Sequence, residues 1–190
     1  NVLANDSDVD AGTVLKVAAP GTYVGAYGTL TLAQDGSYTY NLDNAAQGVQ
    51  SLAQGQAVHD TFAYAATDGV VNTAATLDIT IAGSNDAPVA VNDTSADVGA
   101  VAATEKGGTL NGSGGVNATG NVLANDSDVD AGTSLTVSAI RTGAAEGAGT
   151  AGTLGNGLPG AHGTLTILAN GSYTYVVNEG DLAVQALNPG

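Results

Sequence analysis

The 190-residue chain has no cysteine, methionine or tryptophan, and it has a single phenylalanine. Without cysteine it can form neither a disulfide framework nor a thiolate metal site. Apolar residues make up 43% of the chain but aromatic residues only 4%, so the core must rest largely on small side chains such as Ala and Val. Helical periodicity is nearly absent, whereas 28 glycines and frequent Thr favour short strands joined by turns. The composition therefore predicts an all-β protein with thin sandwich cores.

Basic residues are equally scarce. Lys16, Lys106 and Arg141 stand against 18 acidic residues, which gives a formal net charge of −15. A chain of this charge repels nucleic acid and anionic lipid, so neither is expected as a partner. No apolar run approaches the ~18 residues that a membrane span needs, which predicts no membrane insertion. The sequence has no initiator methionine and no signal peptide, so we expect a fragment of a longer protein.

Thirteen residues, NVLANDSDVDAGT, occur twice without change, at 1–13 (the first acidic turn) and at 121–133 (the second acidic turn). Each copy carries three aspartates at alternate positions, namely Asp6, Asp8 and Asp10 in the first and Asp126, Asp128 and Asp130 in the second. Like charges at this spacing repel one another unless water, protons or a cation neutralise them. Because basic side chains are so few, the pattern favours calcium ligation. A solvated acidic turn is the alternative.

Two further repeated stretches predict β-hairpins: GTLTLAQDGSYTY at 28–40 and GTLTILANGSYTY at 163–175. Apolar and polar residues alternate on both sides of an Asp-Gly or Asn-Gly pair, whose glycine, Gly36 or Gly171, is expected at positive φ. In the first hairpin, one face should carry four apolar or aromatic side chains, those of Leu30, Leu32, Tyr38 and Tyr40.

The period of two continues beyond the first hairpin. One strand is expected at 58–66, with one side formed by Val58, Phe62, Tyr64 and Ala66. Another is expected at 76–81, with its inward side formed by Leu77, Ile79 and Ile81. A short strand is predicted at 14–18 and one helical turn within 43–54.

The repeats predict a first module at 1–82, a linker at 83–93 and a second module at 94–190. The acidic turns are offset by 120 residues (121 − 1) and the hairpins by 135 (163 − 28), so the second module carries fifteen extra residues. These residues fall within 134–162, which we expect to be a long exposed loop with few large apolar residues. Shortening it should change stability little, because loop closure depends weakly on length.

Each module is expected to be incomplete at one end. At the offset of 135, the second module lacks counterparts of 56–82, and the first module lacks the region that precedes residue 121 in the second. The chain is therefore interpreted as a window cut from a longer tandem array.

Several ordered motifs together resemble the VCBS repeat, a cadherin-like module of giant bacterial surface proteins: NVLANDSDVDAGT, the GTLTL and DGSYTY hairpin, DTFAYAATDG at 60–69 and TLDITIAGSNDAPVAVND at 76–93. The resemblance covers essentially the whole chain. It implies two tandem immunoglobulin-like (cadherin-like) Greek-key β-sandwich modules, with calcium (Ca²⁺) at or near the module junctions. It also implies export by a one-step secretion route, an extracellular or cell-surface location, and roles in adhesion and biofilm.

The resemblance adds expected calcium ligands to the six aspartates of the acidic turns. They are Asp68 in the Asp-Gly turn, Asn85 and Asp86 in a sequence similar to the cadherin junction motif, and also Asp93 and Glu105. Two positions depart from that pattern. Gly83 stands where cadherins carry an acidic residue, and Lys106 follows Glu105 where another acid is expected.

The resemblance thus implies a calcium-rigidified extracellular repeat that acts as an adhesive stalk or spacer, with neighbouring repeats of the same chain as its partners. Two other interpretations stay open. One is a subunit of an extracellular filament in which identical chains share strands. The other is a carbohydrate-binding module, and cell-surface or matrix ligands are further possible partners.

Two kinds of site are disfavoured by the residues themselves. In an EF-hand loop starting at Asp6, glycine would come seventh rather than sixth and Val17 would occupy position twelve, where the loop needs Glu. A nucleophilic hydrolase lacks support because there is no cysteine and no G-x-S-x-G motif, and the two histidines are not at equivalent positions. We therefore expect no enzymatic activity.

Overall fold

The computed structural model of the chain describes residues 1–106, 114–145 and 147–187. These residues fold almost entirely as β-strands and turns, which confirms the predicted fold class. Two compact units are present, the first comprising Asn1–Asp86 with Val129–Thr133 and the second Ala87–Asp128 with Ser134–Gly190. Parts of the predicted second module, 107–113, 146 and 188–190, lie outside the described residues. Within the described ranges no helix has the length and apolar character needed to cross a membrane.

The first unit consists of six strands and one short helix: β1 Lys16–Val17, β2 Gly21–Val24, β3 Gly28–Leu32, β4 Tyr38–Leu42, α1 Gln47–Gln50, β5 Ala57–Thr67 and β6 Asn72–Ala82. They form two antiparallel three-stranded sheets with the orders β1-β5-β6 and β2-β3-β4. The chain starts in one sheet, builds the whole of the other and returns beside β1. Strands distant in sequence are therefore neighbours, as in a Greek-key sandwich.

The core of the first unit lies between these two sheets, because alternate residues of each strand point inward. It is formed by Val2, Val17, Leu30, Leu32 and Phe62. Leu30 and Val17 are each only 1% exposed. Full burial of such a side chain contributes about 1.5–3 kcal/mol, so this small cluster accounts for much of the cohesion between the sheets.

The first hairpin has the predicted register. Leu30 lies opposite Tyr40, and Leu32 lies opposite Tyr38, so the four side chains share one face as expected. Tyr38 is at the end of that face and is 38% exposed. The turn glycine, Gly36, has φ +82°, which confirms the predicted positive φ.

The first acidic turn is attached to this hairpin through its asparagine. The Asn1 side-chain amide donates to the Asp35 carbonyl at 2.9 Å, and the Val2 N–H donates to the Gly36 carbonyl at 2.8 Å. A Cβ atom at Gly36 would lie 2.5 Å from Asn1 Oδ1. Glycine is therefore required here both for its backbone angle and for its lack of a side chain.

The other local predictions in the first unit are mostly confirmed. Strands β5 and β6 contain the predicted inward faces, with Phe62 and Ile81 buried, and α1 lies within the predicted helical segment. The strand predicted at 14–18 is shorter, only Lys16–Val17. Its partner β5 ends at Thr67, which pairs with Lys16, so Val14 has no strand to pair with and is 73% exposed.

The second unit contains β7 Ala118–Asn121, β8 Leu158–Pro159, β9 Gly163–Ile167, β10 Ser172–Val177 and the helix α2 Leu182–Gln185. The strands form one antiparallel sheet in the order β7-β10-β9-β8. Its hairpin repeats the first one, because Gly171 has φ +83° and the Asn121 side chain donates to the Asn170 carbonyl at 3.1 Å. The prediction of a second hairpin with a positive-φ glycine is therefore confirmed.

The prediction that 134–162 is an exposed loop is wrong in part. Ile140 and Leu158 from this range are 8% and 7% exposed and pack with Ile167 in the core of the second unit. The Val137 N–H donates to the Ala169 carbonyl at 2.9 Å, as Val17 does to Gln34 in the first unit.

The extra residues therefore lie between 138 and 157. In this inserted segment, Arg141 and Ala151 form an isolated antiparallel β-bridge. Sequence counting missed its core contribution because two isolated apolar residues give no periodic signal.

Candidate functional site

The first acidic turn is held in shape by its own hydrogen bonds. Asp8 Oδ1 accepts from the Asp10 N–H at 2.8 Å and from the Thr13 hydroxyl at 3.5 Å. Gly12, at φ +89° with open space around it, lets the chain reverse after the last aspartate. The carboxylates therefore project from a fixed turn, and the turn uses only one oxygen of Asp8.

This turn and the end of β5 enclose a cavity of about 380 Å³ in the first unit, lined by Asn5, Asp6, Ser7, Asp8, Leu15, Ala66, Asp68, Val71, Thr73 and Ala75. Three of the predicted ligands, Asp6, Asp8 and Asp68, thus meet at one place. The Tyr64 hydroxyl lies 2.9 Å from the Val2 carbonyl and 3.3 Å from Asp6 Oδ2, so its single proton is shared between the two acceptors. Burial, together with the charge of Asp6, raises the pKa of Tyr64. Asp10 does not line this cavity.

Asp68 also closes the turn between β5 and β6. Its Oδ1 accepts from the N–H groups of Val70 and Val71, each at 2.7 Å. These two bonds lower the pKa of the Asp68 carboxyl, so the group is ionised at neutral pH. In the described part of the chain, Oδ2 of Asp68 and Oδ2 of Asp8 make no hydrogen bond.

Asp86 and Asp130 are also brought together in the first unit. The Asp86 N–H donates to Asp130 Oδ2 at 2.9 Å, and Asp130 is only 4% exposed. The next residue, Ala131, donates its N–H to the Ser51 carbonyl at 3.0 Å. Asn85, by contrast, donates its side-chain amide to the adjacent Asp86 carbonyl and lies on the surface.

In the second unit, the predicted linker is paired with the second acidic turn. Val89 and Ser127 exchange backbone hydrogen bonds of 2.8 and 3.1 Å, and the Val91 N–H donates to Asp126 Oδ1 at 2.8 Å. The Asn125 side chain donates to the Asn92 carbonyl at 3.5 Å. Asp126 is thus fixed by a segment 35 residues earlier in the chain.

Asp93 stands at the end of this pairing among like charges. Burial raises the pKa of its carboxyl, and the neighbouring charges of Asp126 and Asp97 raise it further. Asp97 is an acidic residue that the sequence prediction did not include. It accepts from the N–H and the hydroxyl of Thr94, and this Thr-x-x-Asp spacing is the signal that could have drawn attention to it.

Glu105 lies elsewhere in the second unit, where it lines an apolar groove described below. Asp128 is half-buried in the second acidic turn. Across residues 1–106, 114–145 and 147–187, no group of three or more His, Asp or Glu is arranged so that it could hold a metal ion as it stands. The predicted ligands are therefore gathered into sets of two and three without forming a closed coordination shell.

Sequence reasoning also missed Asp60, which lies on the inward face of β5 and is 5% exposed. Its carboxylate accepts from the Tyr40 hydroxyl at 2.8 Å, from the Ala26 N–H at 3.1 Å and from the Tyr27 N–H at 3.2 Å. The signal was available, because the alternation of Val58, Phe62 and Tyr64 places residue 60 on the same inward face.

The three donors to Asp60 decide its charge state. Burial by itself would raise the pKa of Asp60, but the hydrogen bonds from Tyr40, Ala26 and Tyr27 outweigh it and lower the pKa. Burial and the adjacent carboxylate raise the pKa of Tyr40 to about 12. A carboxylate with this many donors stays ionised inside a protein, so it ties the β2–β3 turn and β4 to β5.

Both histidines are on the surface and bonded to a carboxylate. His59 Nδ1 lies 2.9 Å from Asp78 Oδ2, and His162 Nδ1 lies 2.6 Å from Asp181 Oδ2. The bond from His162 lowers the pKa of Asp181. Neither histidine adjoins a Ser or Thr in a nucleophilic arrangement within the described hydrogen bonds.

Two protein families match the chain in sequence. The bacterial cadherin-like domain matches residues 1–83, and the bacterial Ig domain matches residues 85–186. No curated protein matches the chain. Both families agree with the sandwich architecture, and they support the broader cadherin-like and Ig-like resemblance of the sequence without distinguishing the VCBS repeat within it.

Proposed function

The chain belongs to the bacterial Ig domain family, and from this premise we propose that it is a calcium-rigidified repeat segment of a bacterial surface protein, acting as a stalk or spacer in adhesion and biofilm. Bacterial cadherin-like and Ig domains typically occur in extracellular surface proteins and are typically structural modules rather than enzymes. The observation that carries the proposal is the cavity at which Asp6, Asp8 and Asp68 meet. We further propose, from the motifs quoted above, that the repeats are of the VCBS type.

The donor atoms around this cavity fit calcium. Carboxylates, the Asn5 amide oxygen and the Ser7 hydroxyl are hard oxygen ligands, and calcium accepts six to eight such ligands in flexible geometry. Asp8 and Asp68 each use one oxygen for their own turn, and this orients the other oxygen. A small movement of two turns would close a shell around an ion in a cavity of about 380 Å³.

The second unit offers independent support. Asp93, Asp97 and Asp126 are close enough that two of them raise the pKa of the third. Three carboxylates held together by fixed backbone bonds repel one another, and a divalent cation would remove that repulsion. Asp126 occupies the same position of its acidic turn as Asp6 does in the first, so each unit would use its own copy of the motif.

Calcium would act here mainly on shape and stability. With a net charge of −15 and three basic residues, a string of such units repels itself at low ionic strength. Bound cations would offset that charge and hold the turns at the ends of the strands. The tyrosines give little support to the carbohydrate-binding alternative, because Tyr23, Tyr40 and Tyr64 pack against the first core and Tyr173 against the second.

The test is calcium titration by calorimetry, together with thermal melting in calcium and in chelator. Extracellular calcium modules typically have dissociation constants of about 10⁻⁴–10⁻³ M, and a tenfold excess would stabilise a unit by about 1.4 kcal/mol per site. For a domain of this size that corresponds to a rise in melting temperature of roughly 6–11 °C.

Matched variants locate the effect. Changing Asp6, Asp8 and Asp68 together to Asn should abolish the response of the first unit and leave that of the second. The control is Asp43→Asn, which makes the same kind of change at an exposed aspartate whose side chain accepts from the Ala45 N–H. The proposal fails if melting is the same in calcium and chelator, or if the triple variant and the control respond alike.

A further inference from the structure

One turn has the same backbone structure in the two units. In the first, the Gly25 N–H donates to the Gly28 carbonyl at 2.8 Å, and in the second the Gly160 N–H donates to the Gly163 carbonyl at 2.8 Å. Both pairs are related by the hairpin offset of 135 residues (160 − 25 and 163 − 28).

The flanking bonds agree as well. Asp43 N–H to the Tyr27 carbonyl and Asn178 N–H to the His162 carbonyl are both 2.9 Å. In the first unit, Asp60 is bound by the Ala26 N–H, the Tyr27 N–H and the Tyr40 hydroxyl. At the same offset of 135 residues, the corresponding groups of the second unit are the Ala161 N–H, the His162 N–H and the Tyr175 hydroxyl, in that order. The second unit therefore repeats the carboxylate receptor of the first.

This second receptor holds no carboxylate in the described structure. Among the described residues, neither the Ala161 N–H, the His162 N–H nor the Tyr175 hydroxyl makes a hydrogen bond. In the first unit the corresponding donors all bind Asp60, at 2.8 to 3.2 Å. Three convergent donors without an acceptor form a site whose charge preference is for an anion of carboxylate size.

An apolar groove adjoins the receptor. It has a volume of about 330 Å³ and is lined by Ala103, Glu105, His162, Tyr175, Val177, Ala183, Val184 and Leu187. Leu187 corresponds to Leu52 at the same offset, yet Leu187 is 63% exposed and Leu52 only 8%. In the first unit this region is covered on one side by β5, and the Phe62 ring meets Tyr40 edge-on at a centroid distance of 6.1 Å.

We propose that this groove binds the β5–β6 type of hairpin from another repeat, through an extended Asp-x-Phe strand like Asp60-Thr61-Phe62. The aspartate accepts from the Ala161 and His162 N–H groups and from the Tyr175 hydroxyl. The phenylalanine lies against the Tyr175 ring, and the strand covers Leu187. Glu105 at the groove places one like charge near the incoming carboxylate, so Glu105→Gln should strengthen binding.

The inference is tested with the complete 190-residue chain and a synthetic peptide of residues 56–83, with binding followed by NMR at the amides of Ala161 and His162. The Asp60→Asn peptide should bind about 10- to 100-fold more weakly, the loss expected for hydrogen bonds to a charged group. The matched control is the Asp78→Asn peptide, which makes the same change on the solvent face of β6 and should bind like the unchanged peptide.

A second arm does not depend on the peptide folding by itself. A copy of residues 56–83 appended to the chain should raise the pH at which Tyr175 titrates, because burial and the Asp60 carboxylate raise the pKa of Tyr40 to about 12 in the first unit. The shift is read as the ultraviolet difference between this chain and its Tyr175→Phe variant, and an appended copy with Asp60→Asn should not cause it. Equal effects of the Asn and Asp copies, or no shift at all, would overturn the inference. So would a dimer of the unextended chain that Tyr175→Phe dissociates, because the groove would then bind a folded second copy, whose own β5–β6 hairpin is already packed in its first unit.

Discussion

Replacing Tyr40 by Phe isolates the contribution of the buried carboxylate in the first unit. The change removes the 2.8 Å bond from the Tyr40 hydroxyl to Asp60 and leaves the ring in contact with Phe62. Asp60 stays 5% exposed with only two backbone donors. Hydrogen bonds to charged groups contribute about 1.5–3 kcal/mol, so Tyr40→Phe should lower the free energy of unfolding of the first unit by about that amount.

The equivalent change in the second unit is the control. Tyr175→Phe removes the same hydroxyl, but in the described structure this group has no carboxylate to bind, so we expect a change within about 0.5 kcal/mol. Urea unfolding is followed by NMR at the amides of Ala26 and Ala161, because these signals report each unit separately. If both variants lose the same stability, the hydroxyl-to-carboxylate bond is not what stabilises the first unit.

The hydrogen bond between Tyr40 and Asp60 also predicts how the stability of the first unit depends on alkaline pH. The pKa of Tyr40 is raised to about 12 in the folded chain, above its ordinary value of 10. The stabilisation is therefore complete below pH 10 and is lost as pH rises from 10 to about 12. Asp60→Asn should return the Tyr40 titration towards 10 and remove this loss. An unchanged alkaline unfolding profile in Asp60→Asn would contradict the assignment.

Three further predictions concern other parts of the chain. In urea unfolding, Gly36→Ala should destabilise the first unit by more than about 1 kcal/mol, and Gly12→Ala should destabilise it by less. Both glycines have positive φ, but of the two only Gly36 would bring a Cβ atom against another residue. Asp93→Asn should stabilise the second unit in chelator at neutral pH. The pKa of the Asp93 carboxyl is raised in the folded chain, so ionisation of this group at rising pH lowers the stability of the second unit, and Asn cannot ionise. Melting curves of both chains at pH 4 and pH 7 measure the difference. Ile140→Ala should cost about 2–5 kcal/mol in urea unfolding and Arg141→Ala almost nothing, because Ile140 is 8% exposed.

Local alternation was sufficient to predict the long strands. In β5 and β6 most alternate residues are apolar, and a one-residue slip of the pairing would turn these apolar side chains away from the core. The alternation could not predict that β1 would be two residues long, because its length depends on where β5 ends. Asp60 was missed because the pattern was counted over apolar residues, and a buried charge becomes acceptable only through donors from the distant residues 26, 27 and 40.

The two acidic turns show the limit of motif reasoning for the candidate site. Their thirteen residues are identical, yet Asp10 is exposed whereas Asp130 is 4% exposed and accepts from the Asp86 N–H. Asp6 shares the Tyr64 hydroxyl with the Val2 carbonyl, whereas Asp126 accepts from the Val91 N–H. The sequence could identify the carboxylates, but the groups around each one come from segments far away in the chain.

The inclusion of 129–133 in the first unit has a consequence for the order in which the chain can fold. During synthesis, residues 1–86 emerge as a nearly continuous unit, and domains generally fold as they appear. The bonds from Asp86 to Asp130 and from Ala131 to Ser51 must wait until more than forty further residues have emerged (129 − 86 = 43). The first unit therefore begins to fold early and is completed late. A chain cut between 87 and 128 would leave it in its unfinished form.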